Sequence, residues 1–315
     1  MADDGQPGGD WERQIVEKLA LSALQEQRRA RRWGIFFKSL MLVWLFGILF
    51  LAAGWIGKKD GALPGKHTAL VELSGIIAPG TEASAENVTS GLQQAFKDKN
   101  TQGVILSINS PGGSPVQAGY INDEIRRLRA KYPQIPLYAV VQDICASGGY
   151  YVAVAADRIY VNKASIVGSI GVLMDGFGFT GTMEKLGVER RLFTTGENKG
   201  FLDPFSPLAS AQKDYAQKLL NEIHQQFIQV VRQGRGKRLK ETPDMFSGLI
   251  WTGQKSIELG LADAMGNADY VAREVIKAEE IVDFTPHESL TERFARRFGG
   301  AIAKALLDSP HWSLR

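Results

Sequence analysis

The sequence is poor in the residues that build disulfides, metal sites and histidine-based catalytic sites. Its 315 residues include a single cysteine, Cys145, which excludes an internal disulfide and a multi-cysteine metal site. Only four histidines are present: His67, His224, His287 and His311. None of them follows a predicted strand, so a Ser-His-Asp triad has little support and each is expected to be exposed or capping. The sequence implies neither a metal nor any other cofactor.

The net charge is also low. The chain has 37 Lys and Arg against 34 Asp and Glu, a formal charge of +3. This excess is too small to predict nucleic-acid binding. The basic residues cluster at Arg28 to Lys38 and near the C-terminus, a distribution typical of the flanks of a membrane segment.

One segment, Ser39 to Ile56, contains no charged residue at all. At 1.5 Å per residue, its 18 positions and the preceding residues 33–38 can cross the hydrocarbon core of a bilayer. Trp33 and Trp55 stand at its two ends, where the interfaces are expected. A cleaved signal peptide and a buried core helix are the alternatives. The segment begins almost forty residues into the chain and is long for a signal peptide, which favours an uncleaved anchor.

The charges around this anchor predict its orientation. Five basic residues precede it (Arg28, Arg29, Arg31, Arg32 and Lys38) and three follow it (Lys58, Lys59 and Lys66). The positive-inside rule then predicts a single pass through the cytoplasmic (inner) membrane. The N-terminus lies on the cytoplasmic side, and the bulk of the chain lies outside the cytoplasm. Residues 1–38 are predicted to be a cytoplasmic segment with an amphipathic helix from Asp10 to Trp33. Residues 39–56 are predicted to form the anchor, and residues 57–67 to form a linker.

Residues 68–280 alternate between apolar strand patterns and amphipathic helix patterns. The first five elements are predicted at Thr68–Leu73 (strand), Ala85–Lys99 (helix), Gly103–Ile108 (strand), Pro115–Lys131 (helix) and Ile135–Val141 (strand). A strand at Val188–Thr195 and a long helix at Ser210–Arg232 follow later. This alternation predicts an α/β fold in which helical crossovers connect parallel strands.

The C-terminal residues 281–315 are predicted to form a tail with a basic amphipathic helix at Ser289–Leu307. Such a helix suits the membrane surface, a neighbouring subunit or the chain's own domain, and the sequence does not choose among them.

The segment from Asp143 to Ala153 carries the strongest candidate for a chemical site. Ser147, followed by Gly148 and Gly149, lies between a predicted strand and a run of small apolar residues. At such a turn the hydroxyl can point into a cleft, and the next N–H groups lie at a helix N-terminus. This arrangement suits a nucleophile with an oxyanion site. The alternative is that Ser147 only caps the helix.

A second glycine turn follows the Gly103–Ile108 strand. It contains Gly112 and Gly113, and ligands bind beyond the carboxyl ends of parallel strands. The N–H groups of Gly112 or Gly113, together with that of Gly148, are predicted to form an oxyanion hole. A phosphate loop is the rival interpretation, but neither turn has the Gly-Lys-Ser/Thr of the Walker motif.

A lysine is the alternative to histidine as the base for Ser147. Lys199 follows the predicted strand Val188–Thr195 and precedes apolar residues that could desolvate it. Lysine works as a base only when it is neutral, and most lysines are solvated surface residues. The residues alone therefore favour a solvated loop lysine at position 199 over a catalytic base.

Taken together in order, these motifs resemble the single-repeat form of the signal peptide peptidase A, or protease IV, family. The resemblance spans about two-thirds of the chain. It rests on the N-terminal anchor, Ser110-Pro111-Gly112-Gly113, Ala146-Ser147-Gly148-Gly149-Tyr150-Tyr151, Ile166-Val167-Gly168-Ser169-Ile170-Gly171-Val172, Lys199, Trp251-Thr252-Gly253-Gln254 and Gly260-Leu261-Ala262-Asp263. Glu197 and Asn198, before the lysine, depart from the pair common in relatives.

The resemblance implies a Clp/crotonase-like α/β fold and a serine endopeptidase with a Ser147/Lys199 dyad. It also implies a homo-oligomer whose active site is shared between protomers, and peptide substrates such as signal-peptide remnants or other membrane-associated peptides. Two other functions remain open from the sequence. One is a crotonase-like acyl-CoA enzyme, which needs neither the anchor nor the dyad, and the other is a catalytically silent membrane scaffold.

Overall fold

The computed structural model describes residues 9–56 and 65–286, and it divides after Leu63 into two compact units. In the first unit the described residues form one continuous helix, α1, Gly9–Ile56. The predicted amphipathic helix and the predicted anchor are thus parts of a single 48-residue element. Its stretch Gln25–Phe50 is long and apolar enough to cross a membrane, with a mean hydropathy of 1.9, and none of its side chains is buried.

The second unit contains a mostly parallel eight-stranded sheet. Six strands form the path β6-β5-β3-β2-β1-β8, and β4 and β7 branch from β3. The strands are β1 His67–Ile77, β2 Thr101–Gly113, β3 Leu137–Ala146, β4 Arg158–Val161, β5 Ile166–Gly168, β6 Ile250–Thr252, β7 Ala264–Met265 and β8 Ile281–Asp283. Every pair is parallel except β5 with β6. The predicted α/β fold with parallel strands and helical crossovers is confirmed.

The two helices that cross between β1, β2 and β3 begin at serine caps. Ser84 accepts from the backbone N–H of Asn87 to start α2, Ala85–Lys97, and Ser114 accepts from that of Gln117 to start α3, Pro115–Lys131. Serine at this position satisfies an N–H that the helix leaves unpaired. Each helix buries one apolar stripe at three- and four-residue spacing, which packs against the sheet (in α3: Ala118, Ile121, Ile125 and Leu128).

Five further helices lie in the described part of the domain: α4 Gly148–Ala153, α5 Thr180–Leu186, α6 Ser210–Arg235, α7 Gly253–Glu258 and α8 Ala268–Tyr270. A short 3-10 turn, Gly236–Arg238, ends α6, and α8 Ala268–Tyr270 continues as a π-helical stretch, Val271–Ile276. The main core lies on the side of the sheet that α2, α3 and α4 cover. A smaller cluster occupies the other face (Ile105, Val140, Tyr160, Val271 and Ala272).

Several sequence-based boundaries differ from the structure. Residues Val188–Thr195 form no strand, because they lie in an exposed segment without a neighbouring strand to pair with. His67, expected in the linker, is the first residue of β1 and is fully buried. Beyond position 280, β8 adds to the sheet beside β1. The predicted helix Ser289–Leu307 lies outside the described residues, as do His287, His311 and positions 57–64.

Candidate active site

Ser147 occupies a strained turn between β3 and α4. Its backbone has φ 51° and ψ −122°, a region that non-glycine residues rarely adopt. It holds the N-cap position of α4, yet its side chain accepts no capping hydrogen bond. The Oγ atom has no hydrogen-bond partner within residues 65–286. A strained residue with an unused hydroxyl indicates a functional constraint rather than a helix cap.

The glycine turn at the end of β2 lies directly against Ser147. A Cβ added to Gly112 would stand 2.6 Å from the backbone nitrogen of Gly148 and 2.7 Å from the Cβ of Ser147. One added to Gly113 would overlap the Ile77 carbonyl oxygen. Both residues have positive φ, 101° and 148°. Only glycine allows β1, β2 and the serine turn to approach this closely.

The two glycines differ in what their N–H groups do. The Gly112 N–H donates to Oγ of Ser110 at 3.1 Å, and that hydroxyl donates to the Gly75 carbonyl at 2.6 Å. The nitrogen of Gly113 instead lies 3.3 Å from the position that a Cβ would take on Gly148. The structure therefore brings all three predicted oxyanion glycines together, while the N–H of Gly112 is already used within its own turn.

Ser147 opens onto a cleft of about 590 Å³. One side is formed by α3, α4 and the glycine turn, and the other by residues that follow β5, by α6 and by residues before β6. The apolar lining residues include Pro115, Ala118, Tyr151, Val172, Leu173, Ile223 and Phe227. The rings of Tyr151 and Phe227 are 5.2 Å apart and join α4 to α6. Such a lining suits apolar side chains of a bound ligand.

Sequence reasoning did not find the part of the cleft that α6 contributes. Ile223 and Phe227 are one helical turn apart, and this spacing was the available signal for a common face. His224, expected to be exposed or capping, is half-buried, and its Nε2 lies 3.1 Å from the Ile170 carbonyl oxygen. It does not line the cleft. Of the other histidines, His67 contacts Gly65 and Thr101 and stacks on Phe284, away from Ser147.

Tyr150 attaches α4, the helix that follows Ser147, to the core of the domain. This residue is fully buried, and its hydroxyl donates to the Leu261 carbonyl at 2.8 Å. Burial raises the pKa of Tyr150 well above its usual range, so the hydroxyl remains a donor. Burial likewise raises the pKa of the Cys145 thiol. Cys145 is therefore a core residue rather than a competing nucleophile.

Lys199 is not brought to Ser147 within one chain. It is exposed and does not line the cleft. It lies in a segment, residues 172–209, that we call the arm, in which no residue is buried. The arm folds on itself, with the Phe179 N–H bonded to the Pro204 carbonyl at 2.7 Å and the Phe179 and Phe205 rings stacked at 5.5 Å. It exposes several large apolar side chains, among them Leu173, Phe177, Leu186, Phe193 and Leu208.

Comparison with known proteins decides the family. The profile of Peptidase family S49 matches residues 129–282. The "Putative protease MJ0651" of Methanocaldococcus jannaschii is 31% identical over 218 residues, covering 68% of this chain and 69% of that protein. The chain belongs to peptidase family S49. The "Putative signal peptide peptidase SppA" of Enterococcus faecium is 28% identical over 72% of this chain and 67% of its own length, which supports the signal peptide peptidase A type within the family.

Membership of the S49 family supports a serine-type peptidase. The S49 match contains Ser147, Lys199, His224 and the α6 side of the cleft, whereas Gly112 and Gly113 precede it. A further relative, the "Na(+)/H(+) antiporter NhaA" of Brucella melitensis, is 43% identical over 203 residues. The matched region covers 63% of this chain but only 27% of that protein.

Proposed function

We propose that this chain is a membrane-anchored serine endopeptidase that cleaves signal-peptide remnants or other membrane-associated peptides. The observation that carries the proposal is the strained Ser147, whose free hydroxyl opens onto an apolar cleft beside Gly113 and Gly148. An apolar cleft suits the apolar segments of such peptides. A nucleophile in this position also needs an oxyanion site and a base.

The proposed reaction is acyl transfer through a serine ester. Oγ of Ser147 attacks the peptide carbonyl while neutral Lys199 takes the hydroxyl proton. The N–H groups of Gly113 and Gly148 donate to the oxyanion, and the Gly112 N–H supports the turn by its bond to Ser110. Lys199 then protonates the leaving amine as the C–N bond breaks. Water, deprotonated by the same lysine, hydrolyses the ester and restores the serine.

The base is proposed to come from a neighbouring protomer. Lys199 is exposed on the arm, and Ser147 has no base within hydrogen-bonding distance in the described chain. The arm also exposes large apolar side chains to solvent: Phe193 is 91% exposed, and Leu173 and Phe177 are each 80% exposed. Surfaces of this kind mark protein interfaces. A homo-oligomer in which one arm reaches the neighbour's cleft would bury these residues and complete the dyad.

The anchor is proposed to be the apolar part of α1, Ser39–Ile56, with its N-terminal side in the cytoplasm and the catalytic domain outside the inner membrane. The exposed apolar surface of Gln25–Phe50 supports the anchor, and the five basic residues before Ser39 support the orientation. Protease added to spheroplasts should remove a tag fused after Arg315. A tag that is degraded only after lysis would reverse the orientation.

Covalent capture of Ser147 is the direct test of the catalytic proposal. The full chain, purified in detergent, is treated with a fluorophosphonate probe, and the adduct is located by mass spectrometry. We expect the adduct on Ser147, its loss in Ser147→Ala and its retention in Cys145→Ala, the matched control two residues away. Lys199→Ala and Lys199→Arg should both lose peptide cleavage, because arginine stays protonated. An unlabelled Ser147, or cleavage within a few-fold of wild type in Ser147→Ala, would disprove the proposal.

A further inference from the structure

One wall of the cleft is a short segment without regular secondary structure, Ser169–Leu173, which we call the cleft wall. Four of its five residues line the cleft: Ser169, Gly171, Val172 and Leu173. It begins immediately after Gly168, the last residue of β5. Its last two residues, Val172 and Leu173, are also the first two residues of the arm. A ligand bound in the cleft beside Ser147 can contact this segment. Its position therefore determines the shape of the binding surface.

The cleft wall has few attachments to the core. The Ser169 N–H donates to the Leu249 carbonyl at 2.7 Å, and the Ile170 side chain is fully buried. Ser169 has a positive φ of 52°, so its backbone is strained and does not hold this shape by preference. In the described chain, the hydrogen bonds of residues 172–209 are made within the arm or to the first turn of α6. None of these hydrogen bonds attaches the cleft wall to the core.

Gly171 also lies close to Gly248, and a further attachment is the contact between His224 and the Ile170 carbonyl. A carbonyl oxygen can only accept, so Nε2 of His224 carries the hydrogen and donates it, over 3.1 Å. His224 lies on α6 beside Ile223 and one turn before Phe227 and Ile228, which are buried. The hydrogen bond thus connects the wall to a helix that the core holds in place. Its acceptor belongs to Ile170, the residue immediately before the lining residues Gly171 to Leu173.

We propose that His224 is a positioning residue that sets the substrate-binding surface of the cleft wall through the Ile170 carbonyl. This inference rests on the proposed peptidase function of the cleft. His224 does not line the cleft and touches no reacting atom, so it is not a catalytic base. Ser147 is held separately, by its N–H bond to the Gly168 carbonyl at 2.8 Å. Loss of the histidine should therefore weaken peptide binding and leave the attack by Ser147 nearly unchanged.

Three variants separate the hydrogen bond from other effects of the side chain. His224→Leu fills similar space but cannot donate, whereas His224→Gln places an amide N–H near the position of Nε2. Gln225→Leu is the matched control, because Gln225 is the adjacent residue on α6, is exposed and does not line the cleft. The variants are made in the full chain, both with Ser147 intact and in a Ser147→Ala background that binds without cleaving.

The first measurement is binding to the Ser147→Ala protein, with a fluorescein-labelled decapeptide of leucine and alanine flanked by lysines. His224→Leu should raise Kd about fivefold, the effect of one hydrogen bond, while His224→Gln and Gln225→Leu stay within about twofold. With Ser147 intact, His224→Leu should raise KM by a similar factor without lowering kcat. Amide hydrogen exchange at residues 171–173 should become faster in His224→Leu only.

Three results would overturn the inference. Equal weakening by His224→Leu and His224→Gln would mean that ring packing, not the donor, matters. A fall in kcat at constant KM would place His224 in catalysis instead of positioning. Absence of peptide binding to the Ser147→Ala protein would also overturn it, since the wall would then bind no substrate. Binding that follows the expected pattern without any cleavage by the wild type would instead reject the proposed endopeptidase activity and leave the role of His224 standing.

Discussion

The backbone N–H of Ser147 donates to the carbonyl of Gly168, with 2.8 Å between nitrogen and oxygen. This bond extends the parallel pairing of β3 with β5, in which Ala146 lies opposite Gly168. The ladder therefore ends at Ser147, and its last bond holds this residue in a backbone conformation that serine does not prefer. The same strand then continues into the cleft wall. Ser147, the proposed nucleophile, and the cleft wall, the proposed substrate surface, thus both adjoin β5, a strand of three residues.

The strain at Ser147 predicts a difference between two inactive variants. Ser147→Ala and Ser147→Gly both remove the hydroxyl, but only glycine adopts φ 51° without a steric cost. We expect the unfolding free energy of Ser147→Gly to exceed that of Ser147→Ala by about 1 kcal/mol, measured by urea unfolding in detergent. An alanine variant that is as stable as the glycine variant would show that the turn carries no strain.

Close packing around Gly112 predicts that a single methyl group disrupts the site. In Gly112→Ala the new Cβ would approach the Gly148 nitrogen and Ser147 Cβ, so the oxyanion donors must move. Peptide cleavage should fall about a hundredfold or more, measured as kcat/KM. Gly119→Ala is the control, because a Cβ there meets nothing within 4 Å and alanine favours the helix α3. Normal cleavage by Gly112→Ala would contradict the close approach of the two turns.

A buried ion pair behind the site predicts a specific dependence of stability on pH. Arg235 is 1% exposed and makes two hydrogen bonds to the Asp263 carboxylate, at 2.8 and 2.9 Å. Burial raises the pKa of Asp263, but the bonds and charge of Arg235 outweigh it and leave this pKa below its ordinary value. The pair therefore stabilises the fold above the unfolded pKa of about 4, and the stabilisation is lost as the pH falls through the folded pKa.

Asp263→Asn tests this pair, because it leaves the Arg235 guanidinium buried without a counter-charge. We expect a loss of about 3 to 5 kcal/mol in unfolding free energy at pH 7 and a weaker dependence of stability on pH below 4. The exposed pair of Arg273 and Glu274 offers the control, and Glu274→Gln should leave stability unchanged. An unchanged midpoint in Asp263→Asn would show that the pair contributes nothing to stability.

Local patterns were sufficient for the core elements and for the turn that holds Ser147. α3 was predicted at the residues where the structure has it, since an amphipathic pattern that begins at Pro115 is a local signal. The two glycine turns were likewise expected at the carboxyl ends of β2 and β3. Their steric contact at Gly112 depends on the register of the sheet, which local sequence does not specify.

The errors lie where long-range contacts decide the structure. Val188–Thr195 has strand-like side chains, but strand formation also requires a partner edge, and the arm offers none in one chain. His67 looked like a linker residue because its burial comes from Phe284 and Thr101, both distant in sequence. His224 was missed for the same reason, since its partner Ile170 lies 54 residues away. The proposed Lys199 contact would depend on a second chain, which no pattern in the sequence describes.

The exposed position of Lys199 gives the last prediction, which concerns mixed oligomers. Ser147→Ala and Lys199→Ala proteins are each expected to be inactive. If the arm of one protomer completes the cleft of the next, some interfaces in a mixture pair an intact serine with an intact lysine, and cleavage returns. If both residues act within one chain, every site lacks one of them. Activity is measured with a fluorogenic peptide after the two proteins are denatured together and co-assembled.

Two controls make this mixing experiment decisive. The proteins carry different affinity tags, so that sequential purification isolates oligomers containing both. A third mixture pairs Ser147→Ala with a doubly substituted Ser147→Ala, Lys199→Ala protein and should stay inactive, because no serine is present. A mixture of two differently tagged wild-type proteins gives the reference rate of peptide cleavage. Purified mixed oligomers of the two single variants without recovered cleavage would refute the shared site, because intact serine and lysine would then be present on adjacent chains and still unable to meet.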